Sequence, residues 1–357
     1  MRDAPLARSL RQVLGGGPHR APRRGCPRPP LQRAVAPLAA LLAAAVATAA
    51  HAGVPAKAAE AAADAAARAP ACTQHGMGDF YWEIGDAQGP LASGAAGRGS
   101  VTAGTRVEIA SASKWLFGAY VVQTRGFDAV RSDPDLKDGL RFLSGNTDFK
   151  QMRCMGRRTV GACWEAGNGG EAPHPDPRTI GKFDYESGHD QKLAAIDLQM
   201  AAMNADEVTR AYRQALHLDD SFSMAGLDPL MAGGMYGTAE GYAAFLRRLM
   251  RGELELGRHL GEDAVCAQPR TCPSEAVQSP ISFLGEPWRY SYNHWVEQRH
   301  EGTVDAYSSP GRFGFYPWIS ADKRFYGVLS RFDRSLGAYI KSAQCGRAIR
   351  DAFLGAL

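Results

Sequence analysis

The amino-acid sequence predicts an α/β (α+β) fold in which one antiparallel sheet is assembled from N- and C-terminal strands and flanked by helices, with a mostly helical part inserted between them. Three observations carry that expectation. Stretches rich in aromatic and β-branched residues occur near residue 80 and again after Pro280; helical or loop-like patterns fill the chain between about 125 and 260; and the chain closes on an amphipathic helix. With 357 residues, 45% apolar and 22% charged, the composition is that of an ordinary globular protein, long enough for one large domain or two small ones.

The elements follow in chain order. Residues 1–33 carry eight arginines and one acidic residue and lead into "AVAPLAALLAAAVATAAHAG", which contains the small-residue pattern Ala50-His51-Ala52. This reads as a signal peptide over residues 1–52, cleaved near Ala52. The alternative is an inner-membrane anchor left uncleaved, although an Ala-heavy run of about 17 residues is at the short limit for a span. Eight of the 41 basic and one of the 37 acidic residues lie in this leader, so a chain cleaved at Ala52 carries a formal charge of −3 in place of +4. No basic patch with interleaved aromatics remains, which argues against nucleic acid as a partner. The expected location is periplasmic or secreted, with no stable membrane insertion once the leader is removed.

Residues 53–70, "GVPAKAAEAAADAAARAP", are nearly all alanine with scattered charge; with no apolar face to bury they read as a tether or disordered lead-in. Residues 71–357 then form the folded domain. "DFYWEIGDAQGPLASGAAG" suggests a β-hairpin around a glycine-containing turn, and "RVEIA" a further strand. "SKWLFGAYVVQ" is apolar on more than one face, as a helix at the centre of a domain must be. A helical subdomain follows over about 125–260, interrupted by the irregular "EAGNGGEAPHPDPRT". Within it, "TAEGYAAFLRRLMRGEL" is the clearest amphipathic helix, with Thr238 as N-cap and Tyr242, Phe245, Leu246 and Leu249 on one stripe. "WRYSYNHWVEQ", "RFGFYPWIS" and "RFYGVLSRF" read as strands, and "LGAYIKSAQCGRAIRDAFLGAL" as the closing helix.

Of seven cysteines, six follow the leader, and an even count in an exported chain points to disulfides. Cys154 with Cys163 and Cys266 with Cys272 would close short loops, leaving Cys72 and Cys345 to tie the start of the domain to its last helix; sequence alone allows about 15 connectivities. No pair has Cys-x-x-Cys spacing and no His-x-x-x-His accompanies them, so neither a metal nor another cofactor is expected.

The chemistry is concentrated in three places. Ser111-x-x-Lys114 puts a hydroxyl and an amine on one face of the first helical turn after a strand, where the lysine can accept the serine proton or hold another base ionised, and where backbone N–H groups face an oxyanion. The same spacing recurs at Ser320 and Lys323, on a predicted hairpin turn where nothing would bury the lysine. Tyr185-Glu186-Ser187 offers a phenol as general base if Lys114 lowers its pKa. Gly311, read as lying on a strand in "AYSSPGRFGFYPWIS", would let a ligand approach the backbone, with the N–H of Arg312 aimed at a carbonyl oxygen. His189 is a rim or substrate-contact candidate, and Trp295 and Trp318 read as core or cleft wall.

The order of these pieces resembles the serine β-lactamase and penicillin-binding protein superfamily over about residues 75–355, in particular its class C β-lactamase and esterase branch, where the middle motif is Tyr-x-Asn or Tyr-x-Ser. "AGGMYGTAEGYAAFLRRLMRGE" also looks like a segment of that branch. The resemblance implies a β-lactamase/transpeptidase-like fold and an acyl-enzyme hydrolase: Ser111 as nucleophile, Lys114 beside it, Tyr185 as the base that also protonates the leaving group, and Ser187 helping to hold Lys114 and substrate. It also implies an oxyanion hole from the N–H groups of Ser111 and Arg312. Ser309-Pro310-Gly311 stands where those β-lactamases and peptidases usually have Lys-Thr-Gly or His-x-Gly. The missing cation shifts the expected substrate from anionic β-lactams and peptides towards uncharged esters or amides, as in the esterases, with Arg312 one residue away as its only stand-in. The implied partner is a small-molecule or peptidoglycan-like acyl substrate. A penicillin-recognising or cell-wall-binding module with little turnover is the competing expectation, and a secreted scaffold without covalent chemistry the blander one.

Overall fold

The structure is a computed structural model that describes residues 56–170, 174–224, 226 and 228–357. The leader expected over residues 1–52 lies outside the described residues. The first element is a helix, α1 (Ala56–Arg68), followed by one turn, α2 (Pro70–Thr73). This corrects the expectation of a disordered lead-in. Ala58, Ala62 and Ala66, spaced four apart, are buried and form a flat, narrow face that lies close against the C-terminal helix. The stretch does have a face to bury, one made of small side chains.

The hairpin β1 (Phe80–Gly85) and β2 (Pro90–Ala96) forms where expected. After β3 (Val107–Glu108) comes α3 (Ser113–Arg125), buried along most of its length. The central segment is mainly helical: α4 (Phe127–Ser132), α5 (Pro134–Leu140), α6 (Val160–Gly167), then β4 (Phe183–Asp184), α7 (Gly188–Lys192) and α8 (Ala205–Leu216). Local chemistry starts these helices. Asp133 caps α5 ahead of Pro134, and Asn204 with Glu207 makes a reciprocal capping box on α8. Short strands β5 (Ser223–Met224) and β6 (Met235–Gly237) precede α9 (Ala239–Met250), whose N-cap is Thr238 and whose Tyr242, Phe245, Leu246 and Leu249 are buried.

The rest is sheet: β7 (Val265–Cys266), β8 (Ala276–Gln278), β9 (Arg289–Ser291), β10 (His294–Glu297), β11 (Ala306–Ser308), β12 (Tyr316–Ser320) and β13 (Tyr326–Ser330), closed by α10 (Ala338–Gly355). The main sheet has eight strands in the order β2-β1-β13-β12-β11-β10-β9-β7, and every pairing in it is antiparallel. The N-terminal hairpin thus joins the C-terminal strands through β1 and β13, as the α/β reading requires.

Among the described residues there are three apolar clusters, and alternation along β1 feeds two of them. Phe80, Trp82 and Ile84 face α1 and α10, whereas Tyr81 faces the layer that contains α3 and α9. Every residue of β1 is buried, so both faces of this strand are covered. Three disulfides, Cys72–Cys345, Cys154–Cys163 and Cys266–Cys272, are the pairings expected from the sequence. The first spans 273 positions. Closing so long a loop restrains the unfolded chain by roughly 5 kcal/mol in the chain-entropy account.

Candidate active site

The junction from β3 to α3 is a single 3-10 turn, Ala110–Ala112, that carries Ser111 at its centre. Ala110 has φ +46°, in the left-handed region that costs an alanine energy, so surrounding bonds must hold it there. They are present: the Ile109 N–H donates to the Met235 carbonyl (3.0 Å) and the Tyr242 hydroxyl to the Ala112 carbonyl (2.8 Å). The two serines of the motif part here. Ser113 is fully buried and its hydroxyl accepts from the Met235 N–H at 3.1 Å, a structural bond. Ser111 is partly exposed and opens onto a cleft.

Lys114, one turn on, is 3% exposed. Its Nζ lies 3.2 Å from Ser111 Oγ and 2.6 Å from the carbonyl of Ala232. Burial pushes its pKa down, and the carboxylates of Asp190 and Glu186 pull it back up.

Tyr185 follows β4 directly and stands in an aromatic wall. Trp295 stacks on it at 5.1 Å, Phe142 and Tyr290 lie at 5.4 and 5.9 Å, and Lys114 Nζ sits 4.8 Å from the ring centre. Burial raises the phenol pKa well above its usual value, and the nearby Ser111 and Trp295 side chains only partly oppose this. The sequence reading had Lys114 lowering that pKa. The lysine lies over the ring, while burial, the largest influence on the phenol, raises its pKa and favours the protonated form.

Ser111, Tyr185, Trp295 and Arg312 share a cleft of about 310 Å³, whose lining also includes Pro280, Ile281, Pro310, Leu336, Gly337 and Tyr339. Leu336 is 90% exposed at its mouth. A larger hollow of about 630 Å³ lies between α1 and the β1–β2 hairpin and contains none of these side chains.

The backbone N–H groups of Ser111 and Arg312 have no protein acceptor among the described residues, whereas the Gly311 N–H donates to the Phe315 carbonyl at 2.7 Å. Gly311 lies in the β11–β12 connection, just after the strand on which the sequence had placed it. A Cβ there would meet the Ile109 carbonyl oxygen at 2.1 Å, so glycine allows this connection to pass the turn that carries Ser111. Ser309 is buried and its hydroxyl donates to the Ser111 carbonyl at 3.0 Å; the Arg312 side chain is exposed.

Two side chains sit elsewhere than expected. Ser187 donates to Gln151 Oε1 (3.3 Å) and takes no part in the bonds of Lys114. His189 is fully buried, not at a rim: its ring nitrogens meet Ser144 Oγ at 2.7 Å and the Asp184 carbonyl at 3.0 Å, and burial lowers its pKa to about 3, so it is a neutral structural residue. Trp318 lies in the core under α10, with Arg350 5.2 Å above its ring. Three contributors escaped the sequence reading: the Ala232 carbonyl, which no side-chain type could signal, and the buried pair Asp190 and Asn293, joined at 2.8 Å. Among the described residues no cluster of ligating side chains could hold a metal.

No protein-family model and no curated protein sequence matches the chain. Solved structures do. A penicillin-binding protein from Bacillus halodurans superposes with a TM-score of 0.53 at 16% identity, covering 74% of this chain and 93% of that one. A β-lactamase from Mycobacterium bovis gives 0.51 at 13% identity (78% and 95%), and a D-stereospecific amidohydrolase from Streptomyces sp. gives 0.54 at 13% identity (84% and 99%). The chain therefore has the serine β-lactamase and penicillin-binding protein fold.

Proposed function

We propose that this protein is an exported serine hydrolase that works through an acyl-enzyme on a small ester, amide or β-lactam carbonyl. The observation that carries the reading is the buried Lys114 amine, 3.2 Å from the hydroxyl of a cleft-facing serine.

Burial lowers the cost of deprotonating Lys114, so its neutral amine can take the Ser111 proton as Oγ attacks the carbonyl carbon. The carbonyl oxygen gains charge and moves between the free N–H groups of Ser111 and Arg312. Tyr185, protonated and beside both Ser111 and Lys114, gives its proton to the leaving oxygen or nitrogen and is reprotonated from Lys114. Water then attacks the acyl-enzyme, and the same groups return the proton to Ser111. The phenol is thus the relay and the lysine the base, a division of labour set by desolvation.

The cleft favours an uncharged substrate. Its lining is mostly apolar or aromatic, and Ser309, in the position where the resembling enzymes carry a cation, spends its hydroxyl on the Ser111 backbone. Arg312 is the one cationic side chain of the lining. Three disulfides support maturation in an oxidising compartment, periplasmic or extracellular.

Intact-mass measurement after exposure to a fluorophosphonate and, separately, to a penicillin tests the reading. An adduct on Ser111 from the fluorophosphonate alone supports an esterase or amidase. Stable adducts from both would favour a penicillin-recognising protein, the reading left open by the altered third motif, and no adduct from either would remove Ser111 as nucleophile.

A further inference from the structure

Lys114 carries its charge in a pocket that its two hydrogen-bond partners, a hydroxyl and a carbonyl, do not neutralise. The groups around it and around its neighbour Asp190 come from α7 and the segment before it, from α8, from β9 and from the β9–β10 turn. On α7 lies Asp190, fully buried, with His189 neutral beside it; just before α7 lie Tyr185 and the half-buried Glu186, which accepts from Gln278. From α8 comes Tyr212 and from β9 Tyr290, both buried phenols that stay protonated. From the β9–β10 turn comes Asn293, fully buried with φ +63°.

That turn is built to present Asn293. Gly118, one turn along α3 from Lys114, lets it come so close that a Cβ would meet the Tyr292 carbonyl oxygen at 2.6 Å and Asn293 Cβ at 2.8 Å. Asn293 then donates through Nδ2 to Asp190 Oδ1 at 2.8 Å. The other carboxylate oxygen, Oδ2, and the Asn293 Oδ1 are buried acceptors with no partner among the described residues. Asp190 and Lys114 do not touch, but both are buried, and Asn293, which bonds Asp190, packs on Gly118 one turn from Lys114; a carboxylate with a single protein donor among the described residues and a lone ammonium are each costly to bury alone. Burial accordingly pushes the Asp190 pKa up and the Lys114 pKa down, and each charge opposes that push on the other.

We propose that Asp190, oriented by Asn293, is the buried counter-charge of Lys114, a positioning residue that holds the lysine as ammonium in the resting protein and so sets the pH at which Ser111 is activated. It rests on the reading of Lys114 as the base. Asp190 touches neither substrate nor Ser111. Its charge acts on Lys114, which it favours as ammonium, and on Tyr185, whose pKa it raises, so removing it makes Lys114 lose its proton at lower pH.

The test follows Lys114 directly, by its nitrogen resonance in lysine-labelled protein, with Lys114→Met to assign the signal. In Asp190→Asn the titration midpoint is expected to fall by about 1 to 3 pH units, the usual reach of a nearby opposite charge. Asp190→Glu should restore most of it, and the acid limb of fluorophosphonate labelling at Ser111 should move in the same direction. An unchanged midpoint in folded Asp190→Asn overturns the proposal. If that variant does not fold, Asn293→Ala gives the same decision: loss of the only donor to the carboxylate makes its charge harder to keep, and the midpoint must fall. A shifted midpoint without any labelling of Ser111 keeps the charge pair and sinks the hydrolase reading, whereas labelling with an unshifted midpoint does the opposite.

Discussion

Ser111 with Lys114 and Ser320 with Lys323 have the same residue types at the same spacing, in two regions of one molecule. At the first, a helical turn brings the amine to 3.2 Å from the hydroxyl and buries it. At the second, the β12–β13 turn sends the two apart. Ser320 donates to Asp322 (2.6 Å) and accepts from the Phe325 N–H (3.0 Å), while Lys323, at φ +57°, reaches across to the carbonyls of Gly257 and Arg258. The difference teaches that the spacing brings hydroxyl and amine together only where a helix aligns the pair, and buries the amine only where the surrounding is dry, as the proposed mechanism requires.

The comparison can be broken by substitution. Ser111→Ala should abolish turnover of a p-nitrophenyl ester, and Ser320→Ala should leave kcat unchanged; equal losses would refute the assignment. Lys114→Met should lower kcat/KM by about 10² to 10⁴-fold, the usual worth of a general base, against no change for Lys323→Met. The pH profile sharpens this. The proposed mechanism needs neutral Lys114, so kcat/KM should rise with pH as the lysine loses its proton, at a pH below the ordinary lysine value of 10.5 because burial lowers the pKa. Lys114→Met should remove that limb.

Gly311→Ala tests the approach of the connection to the turn. With a Cβ directed at the Ile109 carbonyl, the Arg312 N–H is displaced, and a lost oxyanion donor costs about 2.7 to 4 kcal/mol of barrier, read as a fall of roughly 10² to 10³ in kcat. The smallest effect on catalysis belongs to the neighbouring serine. Ser113→Ala leaves the buried Met235 N–H without its acceptor, so thermal unfolding should show a loss of about 1 to 3 kcal/mol while Ser111 is still labelled.

Much of this was legible in the sequence because it is periodic or ordered along the chain. The strand alternation at both ends yields the closed sheet, Thr238 with its stripe yields α9, and the succession Ser111, Tyr185, Gly311 points to a single cleft. What was not legible depends on distance through space. Asp190 and Asn293 are 103 positions apart and meet only because Gly118 admits the β9–β10 turn. His189 looked like a rim residue because its partners, Ser144 and the Asp184 carbonyl, become neighbours only on folding. For Tyr185, spacing suggests a nearby cation, whereas burial, invisible in spacing, raises the phenol pKa. In α1 the signal was present, alanine every fourth residue, but small side chains were discounted.

The bond between Cys72 and Cys345 has one more consequence. Because it joins the two ends of almost the entire folded region, a single protease cut anywhere between them releases nothing: the two pieces remain one covalent molecule until a reductant is added. Under the proposed export, where proteases are met outside the cell, damage in any one loop between those cysteines would leave every part of the cleft still tethered to the rest.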